Sequence, residues 1–463
     1  MEFATRRYKF SVQEINKGGP AGYESTYLSS EGSPASSELY SILENYKGKL
    51  LAAESLVVRQ RNGQALASAL ADWKPVGIAS GFKPSGAYHF GHKLTSESVA
   101  FFQKNGVQVF VPVADIECAM DPRQTEEQYQ FWAADNLLDW GANGVDLDAA
   151  HVYLQSEEFR VNMLSYIVAR SLKFDFAVDI YGAEKLVDDF PFLFAGITQV
   201  GDILLPQHRD FGNFHSFMVS GQDQDGHMKM TTALAQATLD NGTDLLGVHT
   251  IPSGLYIPHI RGIKGDKASS SRAEGTLYLG AGPNIEDLVE RTRSSLNKIE
   301  GADRDHLERC SLDMVRYLDV FNRHSRVSFA ELCAEPEYLQ LTEALNEATN
   351  RDDQMLAQSN IDAYLIQKCM DLGQDNVTIV RETLPEALAE HQQKREAVLI
   401  YARTRSQGSR SNDVFEEENP YGTEPLKRPE FWDVPSVAAV NESQRNPTQW
   451  FSIINRAASQ IQP

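Results

Sequence analysis

The chain has 463 residues, of which 42% are hydrophobic and 10% aromatic, enough for a sizeable core and two or three domains. No run nears the ~18 consecutive apolar residues of a membrane helix, and no apolar segment of a secretory signal follows the Arg-bearing start at residues 1–9. The net charge of −21 repels polyanions, so a nucleic-acid contact needs a local basic patch, and Cys118, Cys310, Cys333 and Cys369 lie too far apart for a zinc-binding pair. The expectation is a reduced, cytoplasmic protein with no membrane contact and no protein-held metal.

In chain order, residues 1–45 are rich in Gly, Ser, Tyr and Glu and read as an extension of strands and loops. Residues 60–72 carry helical apolar spacing. Val76-Gly77-Ile78-Ala79-Ser80, closed by Gly81, is a short apolar run of the buried-strand kind. It leads through Pro84-Ser85-Gly86 into His89-Phe90-Gly91-His92 and a helix to Lys104. The alternation continues with a strand over 107–115, a capping box at Thr125-Glu126-Glu127-Gln128 opening a helix to Trp140, and a strand over 151–155. A helix over 159–172, a strand over 216–220 and a helix over 226–239 follow. Strands separated by helices imply parallel crossovers, hence an α/β fold with a doubly wound, Rossmann-like parallel sheet.

Beyond about residue 283 the periodicity turns helical, over 285–298, 307–323, 338–350, 360–372 and 385–402. The expected organisation is an N-terminal extension (1–72), a catalytic domain (73–284), a helical domain (285–402), and a linker and tail (403–463). Trp432, Trp450 and Phe451 mark the tail as a segment that docks on something.

Three segments carry chemistry. His89-Phe90-Gly91-His92 lies where a strand gives way to a helix, so helix amides and two ring donors converge on a phosphate position, and Gly91 leaves room for a nucleoside. A lone HxGH also occurs in ordinary turns. Gly265-Asp266-Lys267-Ala268-Ser269-Ser270-Ser271 places a cation among hydroxyl and amide donors, which suits a leaving pyrophosphate; a solvent-exposed Ser-rich loop is the plainer reading. Between them, Gly221-Gln222-Asp223-Gln224-Asp225 follows a strand. A carboxylate and an amide at a strand's carboxyl end suit ribose hydroxyls and an ammonium group, with a surface turn as the alternative.

Taken in this order, the segments resemble the class I aminoacyl-tRNA synthetases, in the archaeal and eukaryotic form of the tryptophanyl/tyrosyl subgroup. HFGH is similar to that family's HIGH motif and KASSS to its KMSKS motif. GQDQDGH followed by MKMT resembles a tryptophanyl stretch, as does Gly201-Asp202-Ile203-Leu204-Leu205. The resemblance covers roughly residues 55–402. It implies ATP and Mg2+ as cofactors, an aromatic amino acid and tRNA as substrates, and a homodimer. His89, Gly91, His92 and Lys267 would bind ATP and stabilise the transition state, with Ser269, Ser270 and Ser271 closing the loop. Asp223 would sit near the ribose, Gln224 near the amino group, Gln199 and Asp202 at the side-chain pocket, and Glu117 along its wall.

Departures from the family pattern fall mostly in the pocket. Ala268 stands where the family has Met, Ala79 where relatives carry Tyr or Phe, and Pro112 where the eukaryotic tryptophanyl pattern has Gln. The Gln199–Asp202 pair looks more tyrosyl. An enlarged pocket leaves two outcomes open: neighbours refill it around tryptophan or a close relative, or the substrate differs, since one methylene is worth ~1–3 kcal/mol of discrimination. The competing readings are a paralogue that passes its acyl group to a small-molecule or peptide amine, and a non-catalytic binding protein. Arg395, Arg403, Arg405 and Arg410 form a basic cluster that suits either tRNA phosphate contact or a solvated helix end.

Overall fold

The computed structural model describes residues 33–34, 59–188, 191–257, 279, 335–347, 353, 356, 360, 364, 373–408, 428–432, 434–445 and 450–457. A seven-stranded sheet organises them in the order β1-β2-β7-β6-β3-β4-β5. The strands are β1 (Ser33–Pro34), β2 (Arg59–Arg61), β3 (Val76–Ala79), β4 (Gln108–Val113), β5 (His151–Leu154), β6 (His215–Gly221) and β7 (Ser253–Ile257). Strands β3 to β7 pair in parallel, and β2 and β1 add an antiparallel edge. The doubly wound sheet expected from the alternation is present. Strand β7, which was not anticipated, extends it.

The helices follow as α1 (Gly63–Ala71), α2 (Phe90–Lys104), α3 (Asp115–Ala119), α4 (Glu126–Ala142), α5 (Phe159–Ala169), α6 (Phe174–Tyr181), α7 (Ala183–Asp188), α8 (Pro191–Leu204), α9 (Asp225–Asp240), α10 (Pro336–Glu347), α11 (Gly373–Gly408) and α12 (Trp450–Arg456). The capping box at Thr125 is formed: Gln128 N–H donates to Thr125 Oγ1 at 3.3 Å, and Thr125 N–H to Gln128 Oε1 at 2.9 Å. Strand β4 ends at Val113, and its expected last residue, Asp115, begins α3 instead.

Successive residues of a strand face opposite sides, and β4 shows the consequence. Val109 and Val111 enter a core layer shared with Ile78, Trp140, Val398 and Trp450. Phe110 enters the other layer, with Tyr153, Leu164, Leu204 and Leu234. Both faces are covered, which is why the central strands are apolar runs with no polar alternation.

Helix α11 places His391, Arg395, Val398 and Ala402 along one buried face against α4. The expected helix over 385–402 is thus the middle of a longer one, and residues 403–408 continue it instead of opening the linker. The expected helices over 285–298 and 307–323 lie outside the described residues. The tail does dock, with Trp432, Trp450, Phe451, Ile453 and Ile454 all buried.

Candidate active site

A cleft of about 390 Å³ opens at the carboxyl ends of β3, β4, β6 and β7. The chain runs outward from β3 through β4 to β5, then returns to lay β6 and β7 on the other side of β3. Such a switch point leaves a crevice where the two halves diverge, the usual ligand position in an open α/β sheet. The cleft is lined by Ala79, His89, Gly91, His92, Pro112, Glu117, Gln199, Asp202, Asp223 and Gln224. These are the candidate positions from the sequence, brought together. Lys267, Ser269, Ser270 and Ser271 lie outside the described residues. Leu279, further along the chain, donates its N–H to the Tyr88 carbonyl at 3.0 Å, immediately before His89.

At the HFGH turn, His89 caps α2. Gly91 N–H donates to His89 Nδ1 at 3.1 Å, and His89 N–H donates to His92 Nδ1 at 3.4 Å, with the two rings stacked 3.8 Å apart. Both Nδ1 atoms accept, which places the ring proton of the neutral form on Nε2. The expectation of amides turned toward phosphate is refined here, because Gly91 N–H is taken by His89.

Across the cleft, Gln199 Nε2 donates to Gln224 Oε1 at 3.1 Å, and Gln224 Nε2 to Asp223 Oδ2 at 3.2 Å, joining three candidates in one chain of bonds. Asp225 belongs elsewhere. It receives Arg61 Nε and Nη2 at 2.9 and 3.0 Å and the Tyr256 hydroxyl at 2.6 Å, tying α9 to β2 and β7. Glu117 pairs with Lys83 at 3.2 Å, so the wall carries a neutralised pair.

Asp202 is buried at the foot of the cleft, where it accepts from the Tyr153 hydroxyl at 2.8 Å and from Gln155 Nε2 at 2.5 Å. Burial pushes its carboxyl up to about 7, and the Gln155 and Tyr153 bonds offset only part of that rise. A carboxyl titrating near neutrality beside a pocket can act as donor or acceptor. Tyr153 on β5 and Gln155, the residue just after it, were not anticipated, although their i, i+2 spacing along extended chain favours one face. Phe192 and His227 were also missed and also line the cleft.

Ala79 and Pro112 form part of the floor. A Cβ at Gly81 would run into the Pro112 carbonyl, whose oxygen accepts from Phe82 N–H at 3.1 Å, so glycine is required where the chain leaving β3 passes that carbonyl. Arg395 is no part of a tRNA-binding patch, nor of a solvated helix end. It is buried between Asp135, at 2.5 Å, and Asp139, which also bonds His391 Nε2 at 2.8 Å. Arg405 pairs with Asp148 at 3.3 Å. Both were placed in the basic cluster because a charge count cannot see opposing carboxylates from a distant part of the chain; Arg410 lies outside the described residues.

Comparison with known proteins puts a family beside this geometry. The family model of class I tRNA synthetases (W and Y) matches residues 72–356. The tryptophan--tRNA ligase of Hyperthermus butylicus is 31% identical over 236 residues, 50% of this chain and 60% of that protein. The tryptophan--tRNA ligase of Aeropyrum pernix is 30% identical over 245 residues, 51% of this chain and 62% of that one. The chain thus spans about three fifths of the length of these relatives. Among solved structures, tryptophanyl-tRNA synthetase from Aeropyrum pernix superposes with a TM-score of 0.52 at 22% identity, covering 78% of this chain and 93% of that one. The Encephalitozoon cuniculi tryptophanyl-tRNA synthetase bound to tryptophan gives 0.55 at 15% identity, covering 81% and 96%. At these identities the superpositions establish the shared fold.

Proposed function

The chain belongs to the class I tRNA synthetases of the W and Y type, and on that premise we propose that it activates tryptophan with ATP and transfers it to tRNA. One observation carries the reading: a single cleft joins the His89–His92 donor pair to the Gln199, Gln224 and Asp202 cluster. In adenylate formation the amino acid's carboxylate attacks the α-phosphorus and pyrophosphate leaves, so negative charge grows on the triphosphate. Fixed donors at that place lower the barrier without a covalent nucleophile. His89 and His92, with Nε2 protonated, are such donors. Cys118 is no competing nucleophile, because burial pushes its thiol up to about 12.

Gly91 keeps the approach to the nucleoside open, Asp223 suits the ribose hydroxyls, and the linked amides of Gln199 and Gln224 suit the substrate's ammonium. Asp202 is assigned to the indole N–H as its acceptor. Lys267 and Ser269–Ser271 are assigned to the pyrophosphate. Among the described residues no cluster of three or more His, Cys, Asp or Glu converges as a metal cage. Mg2+ would come as an ion carried on the triphosphate, where it would neutralise phosphate charge.

The proposed assembly is a cytoplasmic homodimer. Phe159 and Tyr166 on α5 are 69% and 70% exposed, and Phe174 on α6 and Phe194 on α8 are exposed as well. Large apolar side chains concentrated on neighbouring helices suit a self-complementary interface. The test is ATP–pyrophosphate exchange across the aromatic amino acids, followed by charging of total tRNA. Tryptophan-dependent exchange with tRNA charging is expected. Absence of exchange with every aromatic amino acid overturns the reading, and exchange without charging overturns its tRNA half.

A further inference from the structure

Adenylate formation brings two anions together, because the amino acid's carboxylate must reach an α-phosphate that is itself negative. A cation at the meeting point offsets that repulsion and the charge that grows as the bond forms. Among the described residues lining the cleft, Lys83 is the one lysine or arginine. It stands in the turn between β3, whose end at Ala79 helps form the floor, and His89, which caps α2.

The root of Lys83 is fixed, and its head is held by one exchangeable contact. Phe82, just before it, donates its N–H to the Pro112 carbonyl at 3.1 Å and accepts from Ala114 N–H at 2.9 Å, with its ring buried. The Lys83 carbonyl accepts from Ser85 N–H at 2.9 Å, and Asn136 Nδ2 donates to the Gly86 carbonyl at 3.2 Å. The side chain is 30% exposed, and its ammonium lies 3.2 Å from Glu117, which is 38% exposed and lines the same cleft. Asp121, 4.0 Å away, is already engaged by Arg123 through both carboxylate oxygens, at 2.8 and 2.9 Å. An ion pair open to water on both sides holds weakly. A triphosphate carries several negative charges and draws the ammonium more strongly than one solvated carboxylate does.

We propose that Lys83 is a catalytic residue of adenylation. Its ammonium leaves Glu117 for the α-phosphate of bound ATP and keeps its protons throughout. The carboxylate oxygen bonds the α-phosphorus, the bond to the bridging oxygen breaks, and pyrophosphate leaves with that electron pair. Lys267, assigned to the pyrophosphate, would serve the departing side, so two cations divide the charge. Glu117 is the resting partner that keeps the ammonium at the cleft before ATP arrives. The proposal rests on the reading of the cleft as an amino-acid-activating site.

Pyrophosphate exchange on the full chain, with KM measured separately for ATP and for tryptophan, tests this role. Lys83→Met keeps the stem and removes the charge. Its kcat/KM for ATP should fall about ten- to a hundredfold, at or below the usual loss of one charge-stabilising donor. Tryptophan KM should stay within about twofold, and Lys83→Arg should keep more of the ATP kcat/KM than Lys83→Met. Glu117→Gln frees the ammonium in advance, so its ATP KM should fall, by up to about fivefold. Opposite signs at the two ends of one ion pair separate a catalytic cation from a structural brace. Equal losses in Lys83→Met and Glu117→Gln would overturn the proposal. So would an unchanged ATP kcat/KM in Lys83→Met, or a tryptophan KM that rises alone and places the ammonium on the amino acid's carboxylate. Thermal unfolding midpoints show whether each variant is folded, and Glu117→Gln remains informative should Lys83→Met not fold. Wild type without exchange for any aromatic amino acid sinks the underlying reading; active wild type with unaltered variants sinks this inference alone.

Discussion

Asp202 couples the cleft to pH. Its folded-state value of about 7 lies above the ordinary 3.8 because burial favours the neutral acid. A raised pKa means the folded chain holds the proton more tightly than the unfolded one. The associated stability is therefore fully present below about 4 and is lost as pH rises through about 7. Asp202→Asn cannot ionise, so the unfolding free energy of wild type, read from urea titrations, should fall relative to the variant across that window, by an amount on the order of a few kcal/mol. Substrate binding should run the other way. If the carboxylate accepts the indole N–H, the tryptophan KM falls as pH rises through about 7, and Asp202→Asn loses that dependence. A wild-type KM flat across the window would remove Asp202 as the acceptor. At Gly81 the constraint is steric. Gly81→Ala drives a Cβ into the Pro112 carbonyl, a backbone group that cannot step aside without parting β3 from β4. A loss of about 2–4 kcal/mol in equilibrium unfolding is expected; unchanged stability would mean the two strands can separate freely at the cleft floor.

Between elements, the seam of α4 and α11 depends on charge buried on both sides. Burial works to raise the Asp139 pKa, yet the Arg395 charge and the His391 bond outweigh it and hold the carboxyl below the usual range. Removing one member of a buried set leaves the others uncompensated, so Arg395→Ala should cost about 3–5 kcal/mol. The salt dependence of tRNA binding should not change. A phosphate contact would give the opposite pair of results, with stability kept and the salt slope reduced. Arg395 also shows why the sequence was only partly readable. Strands β3 and β4 announce themselves as apolar runs because both their faces are covered. Strand β7 begins Ser-Gly and is only five residues long, so its signal is no stronger than a loop's. Helix α8 is apolar nearly all round, and without a contrasting polar face its period is hidden. The candidate site fared better where chemistry is local, as at HFGH. It fared worse where a residue depends on a partner far along the chain, as with Tyr153 and Gln155 at Asp202.

At the scale of the whole molecule, the tail is part of the core. Trp432 Nε1 donates to the Gly141 carbonyl at 2.9 Å, and Trp450 Nε1 donates to Asp148 Oδ1 at 2.9 Å. Asp148 also takes the Tyr401 hydroxyl at 2.5 Å and Arg405 at 3.3 Å, so one carboxylate gathers α11, the tail and the turn before β5. Between the two tryptophans, Val440 N–H donates to the Ala149 carbonyl at 2.9 Å and the Gln444 carbonyl accepts from Arg160 at 2.6 Å, carrying the tail past the sheet edge to α5. The tail then returns, with Asn455 bonding the Ala402 carbonyl of α11 at 3.2 Å. Three faces of the molecule are thus strapped by one segment whose aromatic rings fill the α4–α11 layer. Trp432→Ala would empty a large volume there and should cost about 3–5 kcal/mol. A chain ending at residue 427 loses both tryptophans and Ile453 and Ile454 together, and exposes the apolar surface beneath them. That truncation should lower the urea midpoint by more than Trp432→Ala and lower pyrophosphate exchange at assay temperature, because α4 reaches the HFGH turn through Asn143, which bonds the Tyr88 hydroxyl at 2.9 Å. Should the truncated chain unfold and exchange as the full chain does, the tail would be an ornament laid on a core complete without it.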